Sequence, residues 1–360
     1  MLSFKVRTPV KNWLRQLPKA ELHVHLEGLT TPETMVELAR RHNQWDALPS
    51  KKAADLQDWF AFSDFPHFVG IYMIIQDLMR TPEDFELVTY QCGQDMAEQN
   101  IHYREVTFTP YTHIDHQDKG LQIEDILTGL EAGRKRVKAD FGAEIRWVFD
   151  ISRNLSFPEE SSLLFDPAPG FKTLDYALKG LDYGVVALGL GGYEPPAPAR
   201  FFKEAFAAAK EKGLPSVPHA GETSGAESVW EAIHDLQADR IGHGVHAIDD
   251  PELIQYLIDH KIVLEICPTS NLQLKVYPDY ASHPFKKLDQ AGVIVTINSD
   301  DPPLFNANLL HEYQVLSENF GYAKQDVIRI ARNAFVHSLA EKEIKNQLLA
   351  DFDTWVETQK

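Results

Sequence analysis

Apolar positions along the chain switch period repeatedly between two residues and the 3.6 of a helix face. Short runs at residues 21–26, 101–109, 144–151, 184–190, 215–219, 240–243, 262–266 and 293–298 alternate or are continuously apolar, and they read as eight strands. Helical patterns separate them. Thr31-Pro32-Glu33 and Thr81-Pro82-Glu83-Asp84 each set a capping residue before a proline suited to the first helical position. The span from about residue 30 to 100 therefore reads as several helices inserted after the first strand. Residues 201–212 form an amphipathic pattern closed by Gly213. Eight βα repeats predict the α/β class and a (β/α)8 TIM-type barrel, one domain over residues 1–360 with the barrel from about 18 to 340. The aromatic stretch 59–68 reads first as helix packing and second as an apolar lid over a pocket.

Composition narrows the function. The 360 residues carry a formal net charge of -18, which repels phosphate backbones and anionic membranes, so neither a polynucleotide nor a membrane partner is expected. Two cysteines, Cys92 and Cys267, make neither a disulfide framework nor a thiolate metal site. The opening residues lack an apolar leader core, and no window offers the roughly 18 apolar residues of a membrane span. A cytoplasmic protein of unspecified oligomeric state is the expectation.

In such barrels the chemistry gathers where strands end. The first strand carries His23 and His25, two apart and therefore on one face. The fifth ends in His219-Ala220-Gly221-Glu222, the sixth in Gly242-His243-Gly244, the seventh in Cys267-Pro268-Thr269-Ser270-Asn271, and the eighth in Ser299-Asp300-Asp301-Pro302. Three imidazoles and a carboxylate suit one zinc ion or another divalent transition metal, with His23, His25, His219 and Asp300 as ligands. Glu222, three residues past a ligand, can act as general acid/base. His243 can serve the bound water, and Asp301 can hydrogen-bond to water or substrate. Gly189-Leu190-Gly191-Gly192 lacks the dinucleotide spacing; it reads as a tight turn or a close backbone approach to a ligand.

Together PKAELHVHLEG, HAGE, IGHG, CPTSN and SDDPP resemble the adenosine deaminase family of the amidohydrolase superfamily. The resemblance implies hydrolytic loss of ammonia from C6 of a purine. It matches Glu222 to the residue that protonates N1, His243 to the one that activates water, Asp301 to the partner of N7 and Gly192 to the backbone contact with N3. Glu27 stands where animal-type relatives carry an aspartate near the ribose, and it is placed, with His25, among the substrate contacts. Gly191-Gly192-Tyr193-Glu194 differs from the Ser-Ser-Glu of adenine deaminases. The reading is thus deamination of an adenine nucleoside, adenosine first. The alternatives are a 5′-modified adenosine such as aminodeoxyfutalosine, free adenine, or a non-catalytic ligand-binding protein on the same scaffold.

Overall fold

The computed structural model describes residues 10–157 and 164–359, with the side chains of Phe65 and Pro66 left aside. The leader reading concerned in part residues 1–9, which lie outside the described residues. Eight parallel strands follow one another in spatial order as in sequence: β1 (Lys19–His25), β2 (Ile101–Phe108), β3 (Glu144–Ser152), β4 (Val185–Gly191), β5 (Ser216–Ala220), β6 (Arg240–His243), β7 (Val263–Ile266) and β8 (Val295–Ile297). Each is almost wholly buried, as strands covered by helices must be. The predicted bounds hold to within two residues.

The ring closes where β1 meets the end of β8, through a bridge between Val24 and Asp300. His25 N–H donates to Asp300 O at 3.0 Å, and Asp300 N–H to His23 O at 3.3 Å. Closure therefore fixes three of the predicted ligand positions against one another. The fold is a nearly closed TIM-like barrel with helices inserted between β1 and β2.

That insertion forms as its capping signals dictate. Thr31 Oγ1 accepts from Thr34 N–H, and Pro32 opens the Pro32–His42 helix. Asp84 accepts the Thr81 N–H at 3.0 Å at the start of Pro82–Gln99, which ends at Asn100 in the left-handed region and leads directly into β2. Between them runs Phe65–Leu78, with Asp64 accepting from His67 N–H. The aromatic stretch divides between core and cavity wall. Phe60 is core, whereas Phe68 packs on Phe62 and Phe305 and faces the cavity described below. Among the described residues, no helix is long and apolar enough to cross a membrane.

Candidate active site

The carboxyl-terminal mouth of the barrel opens into a cavity of about 950 Å³, its open mouth included. His25, His219, Glu222, His243, Asp300 and Asp301 all line it. His23 sits just behind, 2 % exposed. Residues from β1, β5, β6 and β8, far apart in sequence, thus meet at one point.

His23, His25 and His219 bring ligand atoms within 4.8 Å of one another. Asp300 Oδ1 lies 3.1 Å from His25 Nε2 and 3.5 Å from His23 Nε2. The ring of His23 is turned by Glu265, whose Oε2 takes the Nδ1 proton at 3.1 Å. That leaves the Nε2 lone pair buried, aimed at the cluster and without a hydrogen-bond partner among the described residues. Such a carboxylate–histidine pairing orients metal ligands and raises their basicity. Glu265 is itself held by Arg240, which also grips Glu105. Burial opposes a charge on His23, yet Asp300 and Glu265 outweigh it and raise the imidazole to about 10. The cluster thus attracts positive charge, and its donor set suits a zinc-type ion.

Asp300 and His243 both adopt left-handed backbone, at φ 64° and 60°. For residues with a Cβ this costs about 1–3 kcal/mol each. Ser270 Oγ donates to Asp300 Oδ2 at 2.6 Å and holds that carboxylate in place.

The tautomer of His243 follows from a chain of hydrogen bonds. Phe285 N–H donates to His283 Nδ1 (3.2 Å), so His283 donates from Nε2 to Asn271 Oδ1 (3.1 Å). The Asn271 amide nitrogen therefore faces His243 Nδ1 (3.3 Å), and the ring proton of neutral His243 resides on Nε2. Burial lowers His243 to about 4, keeping it neutral. Its Nε2 lies 3.6 Å from Glu222 Oε1 and 3.8 Å from Asp300 Oδ2.

Glu222 is buried and its Oε1 lacks a hydrogen-bond partner among the described residues; burial, with Asp300 and Glu194 nearby, pushes its carboxyl well above the usual range. Asp301 is raised to about 8 by burial and by Asp300, and among the described residues its Oδ1 is likewise without a hydrogen-bond partner. Carboxyls kept protonated near neutral pH are suited to proton donation. Asp301 rests against Gly28, where a Cβ would meet Oδ1 at 1.7 Å, so glycine is required there. Gly192, at φ 107°, lines the cavity as expected. Glu27 does not: it is fully buried one layer behind the wall.

Several residues of the site escaped the sequence reading. Asp150, near the end of β3, lines the cavity with both oxygens unpartnered, 3.6 Å from His219 Nδ1. The strand-end rule that found the others could have found it. Glu194 accepts the backbone N–H groups of Gly221, Glu222 and Thr223 at 2.8–2.9 Å, clamping the loop that carries Glu222. Glu265 was visible as a charge inside an apolar strand, whereas Gln76, on a helix, gave no signal.

A barrel whose mouth gathers imidazoles and carboxylates into a cluster that could hold a metal ion is of the amidohydrolase type. The adenosine deaminase family model matches residues 18–355, and the chain belongs to that family. It is 39% identical over 344 residues to the aminodeoxyfutalosine deaminase of Streptomyces avermitilis, covering 96% of this chain and 92% of that protein. It is 35% identical to the adenine deaminase of Bordetella avium, covering 92% and 99%. Among solved structures, adenine deaminase from Arthrobacter aurescens superposes with a TM-score of 0.85 at 26% identity, covering 95% of this chain and 99% of that one. An amidohydrolase from Burkhoderia ambifaria, with bound Zn, shares the fold at the same TM-score and 23% identity, covering 99% and 96%. The chain is thus an aminohydrolase of this family, and its relatives bearing these two names, rather than that of adenosine deaminase, set the substrate question.

Proposed function

We propose that the protein is a zinc-dependent aminohydrolase that converts the 6-amino group of a 5′-modified adenine nucleoside, of the aminodeoxyfutalosine kind, to a 6-oxo group with release of ammonia. His23, His25, His219 and Asp300 would hold the ion, which supplies Lewis acidity and makes a water nucleophilic near neutral pH. Protonated Glu222 gives its proton to ring N1, drawing electrons from C6 as the nucleophile approaches. Neutral His243, with its proton on Nε2, donates a hydrogen bond toward the attacking oxygen and stabilises charge as it develops there. This narrows its expected part in activating water to orientation and stabilisation. Asp301, protonated, donates to N7, and the Gly192 backbone meets the N3 edge. Atoms balance as amine plus water giving carbonyl plus ammonia.

The shape of the cavity carries the substrate reading. Its chemistry occupies one part of the cavity. Apolar side chains, Phe68, Val69, Met73, Leu155 and Leu274, line much of the remainder, giving room for an apolar substituent beyond the sugar. No lysine or arginine is among the lining residues, while Asp150, Glu222, Asp300 and Asp301 are, which disfavours a phosphate. The Streptomyces relative supports the same reading. Free adenine is the second reading, favoured by the Bordetella relative. A kcat/KM panel for ammonia release decides between them. A 5′-substituted adenosine should lead adenine by about tenfold or more, the scale of burying a substituent in an apolar pocket. Adenine in the lead would refute the nucleoside reading.

A further inference from the structure

Every side-chain partner of the Glu27 carboxylate gives it a proton. Oε1 accepts from Thr109 Oγ1 (2.7 Å), His113 Nε2 (3.2 Å) and Gln76 Nε2 (3.3 Å), and Oε2 from the Tyr72 hydroxyl (3.2 Å). His113 is free to donate from Nε2 because its Nδ1 takes a proton from Lys119 Nζ at 2.9 Å. Four donors, the Thr109 and Tyr72 hydroxyls, the Gln76 amide and the His113 imidazole, converge on the two carboxylate oxygens, which accept from all of them, so the direction of each bond is fixed.

Consequences follow for the wall of the cavity. Thr109 spends its hydroxyl proton on Glu27 and accepts from Gln76 Nε2 at 2.7 Å. With its nitrogen committed to Glu27 and Thr109, the Gln76 amide must turn Oε1 the other way. That oxygen is buried and has no partner among the described residues, on a side chain that lines the cavity. Leaving such an acceptor unsatisfied costs about 1–3 kcal/mol. Tyr72 also lines the cavity, and having given its proton to Glu27 it has only lone pairs left to offer.

We propose that Gln76 is a specificity-determining residue whose Oε1 accepts a hydroxyl proton from the sugar of the substrate. Glu27 is the positioning residue that turns the donors of Tyr72, Gln76 and Thr109 away from the ligand. This rests on the nucleoside reading above, and it moves Glu27 from direct contact to action at one remove. A free base has no hydroxyl to place against Gln76. A phosphate oxygen would meet an edge of acceptors.

The test compares kcat/KM for adenosine, its 2′-, 3′- and 5′-deoxy forms and adenine on zinc-loaded wild type, Gln76→Met and Glu27→Gln. In the wild type, one deoxynucleoside should fall about tenfold or more below adenosine, because its absent hydroxyl strands a buried acceptor. In Gln76→Met that penalty should shrink toward unity and the nucleoside-to-adenine ratio of kcat/KM should fall about tenfold or more. Glu27→Gln, whose amide can itself donate, should lower the nucleoside-to-adenine ratio. The assignment is overturned if no hydroxyl carries a penalty, if the penalty persists in Gln76→Met, or if adenine and nucleosides decline together. A wild type active on adenine and on none of the nucleosides would instead remove the reading beneath it.

Discussion

At the scale of single residues, the site is governed by what stands behind each ligand. Glu265 accepts from His23 Nδ1 with one oxygen and from Arg240 with the other, so it sets both the tautomer and the tilt of the His23 ring. Replacing Glu265 with glutamine keeps the shape and removes the charge. Loss of a partner of this kind lowers metal affinity by about 10–100-fold. Competition against a chelator should show that drop in Glu265→Gln with the fold intact, since Arg240 retains Glu105. Unchanged affinity would mean that His23 is not held for a metal.

At the scale of elements, the barrel was legible because buried parallel strands are continuous apolar runs and two helices of the insertion, Pro32–His42 and Pro82–Gln99, announce themselves by a Thr-Pro opening. The place of His23, His25, His219, Asp300 and Glu222 at the barrel mouth was legible for a related reason: in a barrel, a strand end is an address at the active mouth. What stayed hidden lies on elements without that address. Gln76 and Tyr72 sit within a helix, where sequence alone does not tell which face meets a cavity. Glu27 has the right address, yet its carboxylate turns backwards because Thr109, His113, Tyr72 and Gln76 surround it with donors. Asp150 was passed over as one more residue of an apolar strand. Its carboxylate fits because β4 presents glycines there: a Cβ at Gly189 would meet Oδ1 at 1.8 Å.

At the scale of the whole molecule, the barrel holds titrating groups together that water would keep apart, so metal and pH are linked to stability. Burial opposes protonation of His23 and His25, but carboxylates outweigh it and raise them to about 10 and about 9. Their contribution is complete below the unfolded value of 6.5 and fades as pH rises through 9–10. Asp150 and Asp301, raised by burial to about 7 and about 8, are protonated more readily folded than unfolded. They therefore cost stability increasingly as pH climbs from the unfolded 3.8 to those values. His219 and His243 are held neutral by burial, and their cost is gone by pH 6.5. Lys19 and Lys119, lowered by burial to about 7, work in the opposite sense above that value. Up to pH 8 the two imidazoles with Asp150, Asp301 and Glu312, the last also raised by burial to about 8, outnumber them, so the Tm of the metal-free protein should fall from pH 6.5 to 8. Metal competes with protons for the same imidazoles, so the gain in Tm on adding zinc should grow over that range. Thermal unfolding with and without zinc checks both. A metal-free Tm that rises with pH would contradict the arrangement of charges.

The central claim, metal-dependent deamination with Glu222 as proton donor, meets its most direct test in one paired assay. Zinc-loaded wild type and Glu222→Gln are compared for ammonia release at saturating nucleoside, with bound zinc counted in the same samples. The expected result is full zinc in both and a kcat lower by about a hundredfold or more in the variant, the usual weight of a positioned general acid. A zinc-replete Glu222→Gln enzyme that turns over like the wild type would contradict it.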